Sequence, residues 1–173
     1  TEDFENYDHA RALERTERFF WEFCDDYLEL VKSRAYGEGR EARSARAALR
    51  TALSVLLRLF APVLPFVTEE VWSWWRDGSV HRAAWPVGSD LPSGGDPEVL
   101  AATAEALRQV RKAKSEAKAS MRADVRRALV RGGSTGLVAR SDLAAAGRIA
   151  ELVLEEADLE KADAELSVEV ALA

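Results

Sequence analysis

Two prolines, Pro62 and Pro65, interrupt an otherwise helical and apolar run at residues 59–75, LFAPVLPFVTEEVWSWW. Neither ring nitrogen can donate a hydrogen bond, and each disfavours helix in the residue before it. A helix arriving from the N-terminal side must therefore stop here, and a second one starts with Pro65 in its first turn. The chain is forced into two helices joined by a stiff elbow of Leu59, Phe60, Val63, Leu64 and Phe66. An elbow written in apolar residues predicts that the rest of the protein covers it.

Helical periodicity extends outward from this corner. Residues 3–35 read as one long helix, with Phe20, Phe23, Cys24, Tyr27, Leu28 and Val31 as its apolar stripe and Gly37 and Gly39 as its stop. Residues 40–60 read as a second helix, striped by Leu49, Ala52, Leu53, Leu56 and Phe60. Its other face carries Arg43, Arg46, Arg50 and Arg58 without an acid, which invites an anionic partner or the glutamates Glu14, Glu17 and Glu22 of the first helix. The third helix, residues 66–75, holds Trp72, Trp74 and Trp75 as core or bundle-edge residues, with base stacking as the alternative, and residues 79–85 read as extended. Asp96-Pro97-Glu98 is a helix start, leading to Leu100, Ala104, Leu107 and Val110 and then to a basic run through Arg108, Arg111, Lys112, Lys114, Lys118 and Arg122. Beyond Met121 the spacing predicts a strand at 125–131, a helix at 135–149, a strand at 151–157 and a half-buried strand at 166–172. The expected fold is mainly α: an antiparallel helix bundle over residues 1–120 with a small C-terminal α/β appendix over residues 121–173.

The net charge of −6 hides a block pattern, with residues 31–60 at +5 and 108–140 at +8 inside an otherwise acidic chain. Two basic segments that meet in space would make a face for nucleic acid, and the alternative is a set of solvated helix faces. Catalytic chemistry is scarce. His9 and His81 have no Cys or His at ligand spacing, so no metal site is expected. Cys24 lies on an apolar stripe as an inert thiol, and Asp25-Asp26 diverge by about 100° on a helix and cannot share a site. The glycine pairs at 94–95 and 132–133 match no phosphate loop. With one cysteine, no run of about 18 apolar residues and an acidic start, the expectation is a cytoplasmic protein that neither crosses a membrane nor is secreted.

The strings FFWEFCDDYLELVKSRAYG (19–37) and FAPVLPFVTEEVW (60–72) resemble the anticodon-binding domain of class I aminoacyl-tRNA synthetases, most closely the valine-specific branch. The second string is shared with the isoleucine and leucine branches, and the segment SVHRAAWP fits the same group. The resemblance implies a monomeric, non-catalytic piece whose partners are tRNA, namely tRNA(Val), and a catalytic domain on the same polypeptide. That domain would use ATP with Mg2+, and the HIGH-like and KMSKS-like strings that mark it do not occur here. The family's KLWNAxxF string does not occur here either, and the strand ending resembles members of the family that lack a C-terminal coiled-coil arm. By motif position, Leu28 and Glu29 match residues that meet the last anticodon base, a cytosine, with Lys32, Arg34, Arg40 and Arg43 as phosphate contacts nearby. Leu28 also lies on the core stripe, and Glu29 does not. Arg111, Lys112, Lys114 and Lys118 would hold tRNA backbone further along. The alternatives are the same domain from an isoleucine or leucine enzyme, or a helical protein-interaction module that binds no RNA.

Overall fold

The computed structural model describes residues 2–91, 94–156 and 166–173. In chain order its elements are α1 (Glu2–Glu5), α2 (His9–Glu22), a π-helical turn (Phe23–Tyr27), α3 (Leu28–Tyr36), α4 (Gly39–Phe60), α5 (Pro65–Ser73), α6 (Pro97–Glu116), β1 (Val125–Gly132), α7 (Arg140–Gly147), β2 (Ile149–Glu156) and β3 (Ser167–Leu172). The mainly helical fold with a small α/β appendix is as the patterning predicts.

The chain forms two compact units, and their border is not at residue 120. The first comprises Thr1–Asp25 and Glu38–Gly94, the second Asp26–Gly37 and Gly95–Ala173. The expected bundle loses α3 and α6 to the appendix, because Leu30 of α3 and Ala106, Leu107 and Val110 of α6 share one buried cluster with Val125, Ala128, Val130 and Leu143.

In the first unit, the expected long helix is broken near its start. Tyr7 has a positive φ of 59°, and the Asp8 carboxylate caps α2 by accepting from the Arg11 N–H at 3.1 Å. Phe20 packs edge-on against Phe60 of α4, with ring centroids 5.6 Å apart. Pro65 opens α5 at its first turn. The inner side of the elbow is closed by Ala61, Trp72 and Val80, and the Glu69 carboxylate accepts from Ser79 Oγ and the Val80 N–H, each at 2.9 Å. Its outer side is open, contrary to expectation: Val63, Leu64, Phe66 and Val67 are all exposed, Phe66 at 89%. Residues 80–82 make a 3-10 turn capped by Ser79 and not an extended segment.

In the second unit, β1 is the central strand of a three-stranded sheet, parallel to β2 and antiparallel to β3. Helix α7 is the crossover between the parallel pair. Ala157, the expected end of the second strand, lies outside the described residues. Helix α6 starts as predicted, with Asp96 accepting from the Glu98 N–H at 2.9 Å, and it ends earlier than predicted, at Glu116. The Lys118 N–H donates to Ser115 O and the Ala119 N–H to Lys114 O, both at 2.9 Å, which is a Schellman stop with Lys118 at φ 53° in the left-handed position usually held by glycine. Leu53 and Leu100, placed on apolar stripes by spacing, are exposed.

Candidate nucleic-acid interface

The π-helical turn explains which face of α3 meets the core. A turn closed by i→i+5 bonds holds more residues than an α-turn, so the side-chain phase slips across it. A stripe drawn straight through puts Leu28 inside. After the slip Leu30 and Val31 are the buried pair, and Leu28 is half-buried.

Glu29 then faces α6 within the second unit. Its Oε1 accepts from Lys32 Nζ at 3.0 Å, and its Oε2 pairs with the Arg111 guanidinium at 3.5 Å. All three side chains are partly open to solvent. A carboxylate has about four lone-pair sites, so each oxygen keeps capacity for one further donor. The expected base reader is therefore fixed by cations from two helices. Arg111, expected as a backbone contact, serves as its partner.

The other predicted cations divide. Lys112 is exposed, with Glu116 4.0 Å away, and Lys118 is exposed at the α6 stop. Arg40 and Arg43 are exposed at the start of α4 in the first unit and enter no ion pair among the described residues. Two assignments need correction. The Arg34 guanidinium donates to Asp142 Oδ2 of α7 at 3.0 Å and is partly buried, so it ties α3 to α7 and does not stand ready for a phosphate. Lys114 is 1% exposed, and its Nζ donates to Gly147 O at 2.8 Å and Met121 O at 3.3 Å. Burial pushes its ammonium pKa down, helped by the like charges of Arg148 and Arg111 and opposed by Asp124. It is a structural clamp.

On α4, Arg58 is drawn into the first unit, donating to Ser54 O at 3.1 Å and Ala84 O at 3.0 Å and pairing with Asp90. Glu14, a candidate partner for the arginine stripe, pairs with Arg18 on its own helix. Sequence reasoning missed the Glu29–Arg111 and Arg34–Asp142 pairs, since no periodic signal connects residues so far apart. Among the described residues no group of three His, Cys, Asp or Glu side chains could hold a metal ion, and no helix is long and apolar enough to cross a membrane.

A helical body with a small mixed sheet, presenting a held carboxylate among exposed cations, defines a polar binding module. The chain belongs to the family described as the anticodon-binding domain of tRNA ligases, whose model matches residues 1–129. It is similar to the valine–tRNA ligase of Thermobifida fusca (64% identical over 179 residues, 100% of this chain and 20% of the relative). It is also similar to those of Salinispora tropica (49% over 195 residues, 99% and 22%) and Leifsonia xyli (54% over 165 residues, 91% and 19%). The chain thus spans about a fifth of the length of these relatives.

Proposed function

We propose that this chain is the part of a valine–tRNA ligase that reads the anticodon loop of tRNA(Val), with valine activation by ATP and Mg2+ carried out by domains outside it. The observation that supports this most is the Glu29 carboxylate held between Lys32 and Arg111 with acceptor capacity left over. RNA loops are read by splaying out their bases and bonding base edges, and a carboxylate accepts from the exocyclic amino group of cytosine. Half-buried Leu28 beside it offers an apolar edge for the same base. Lys32, Lys112 and Lys118 supply charge for phosphates in the second unit, and Arg40 and Arg43 in the first. Lys118 keeps a side chain where glycine would relieve the backbone, which is how strain held for binding looks.

The test is binding of this chain to anticodon stem-loop RNAs that differ only in the last anticodon base. The cytosine form should bind best, and each wrong base should cost about 1–3 kcal/mol. Glu29→Gln should remove most of that preference. Equal affinity for all four loops would overturn base reading by Glu29, and no retention at low salt would overturn RNA binding itself. The latter outcome would favour the protein-interaction reading, whose support is that Arg34, Arg58 and Arg108 are internally paired.

A further inference from the structure

The outer face of the elbow and α5 is apolar, exposed and fixed in place. Phe66, Glu70 and Trp74 stand at i, i+4 and i+8, so they share one helix face, and Val67 adjoins them. Phe66 is 89% exposed and Trp74 69%. The Trp74 indole N–H donates to Glu70 Oε1 at 3.1 Å, which sets the ring's orientation before any partner arrives. The backbone beneath is braced: Thr68 Oγ1 donates to Leu64 O at 2.8 Å, and His81 Nε2 lies 3.2 Å from Pro65 O. A preorganised Trp–Phe surface on a rigid element has the composition of an interface hot spot.

We propose that this face, built from Val63, Leu64, Phe66, Val67 and Trp74, docks an apolar surface of another domain of the same, longer polypeptide. Nucleic acid is the poorer occupant, because residues 59–75 contain no Lys or Arg, Glu70 stands between the two exposed rings, and the adjoining cation, Arg76, is stacked on Trp72 and Trp75; on Phe66 and Trp74 a phosphate backbone would meet the Glu70 carboxylate. A second copy is disfavoured by mass action. The relatives carry about four-fifths of their length outside the matched region, and a domain tethered to the patch reaches it at millimolar effective concentration. The proposal rests on family membership and not on anticodon reading.

The experiment is hydroxyl-radical footprinting of Phe66 and Trp74 by mass spectrometry. The isolated chain at low micromolar concentration is compared with the full-length ligase carrying it, each with and without tRNA. Both rings should label readily in the isolated chain and fall to the level of buried Trp72 in the full-length protein without tRNA. Phe66→Asp should leave the melting midpoint of the isolated chain unchanged and restore Trp74 labelling in the full-length protein. Equal labelling of both proteins would overturn the proposal. So would protection that needs tRNA, or protection in the isolated chain that grows with its own concentration.

Discussion

A buried ammonium group needs hydrogen-bond acceptors, and Lys114 finds two backbone carbonyls, Met121 O after α6 and Gly147 O at the end of α7. Lys114→Met keeps the stem and leaves both carbonyls without this donor, so a loss of about 1–3 kcal/mol is expected in denaturant titrations. Its pH signature has a definite sign. The native pKa lies below the 10.5 of the free side chain, so between the two values the unfolded chain binds more protons and stability rises with pH. The Met variant lacks that rise. Tyr27, whose phenol burial pushes up, acts in the opposite sense above its ordinary value, but it is common to both proteins and cancels in their difference. As a clamp, Lys114 should not contribute to the salt dependence of RNA binding, whereas Lys112→Ala should lower the log–log slope by about 0.7–0.9. Lys118→Gly should lower the slope equally and raise stability by about 0.5–1 kcal/mol, since glycine accepts the left-handed backbone more readily. In the sequence these three lysines read alike, because a basic run does not reveal which ammonium meets solvent.

Among the elements, helices bounded by local chemistry were legible and those bounded by distant contacts were not. Pro65 and the Asp96-Pro97 pair announce their helix starts, and the alternation at 166–172 announces β3. Covering of the elbow was misread because apolar spelling reports that a surface is buried somewhere, not by which residues. Strand β3 illustrates the distant kind of support. Gln109 of α6 accepts from the Val168 N–H at 2.8 Å and donates to Leu166 O at 2.7 Å, so one amide side chain anchors the strand's leading end. Gln109→Leu should cost about 1–3 kcal/mol and speed amide exchange at residues 167–172 before it does so in β1.

For the whole molecule, each unit has its own buried cluster, and all five tryptophans belong to the first. Indole fluorescence therefore follows the first unit, while amide exchange in the sheet follows the second. Lys114→Met should lower protection in the sheet and move the fluorescence midpoint less; equal shifts would mean that the two unfold together. The expected border at residue 120 followed the change from helical to strand spacing. The actual one is set by Leu30, Glu29 and Arg34 of α3, whose partners lie in α6 and α7. The chain passes between the units three times: between Asp25 and Asp26 inside the π-helical turn, between Gly37 and Glu38 ahead of α4, and at 94–95 in a loop. A chimera of two ligases joined by a single crossover in the loop would import α6 and α7 while retaining the host's α3. Both the carboxylate's guanidinium and the aspartate that anchors Arg34 would then come from a different parent than the residues they serve. Exchange of tRNA preference between relatives should need two further seams, one within the π-helical turn and one between Gly37 and Glu38, so that residues 26–37 travel with their partners.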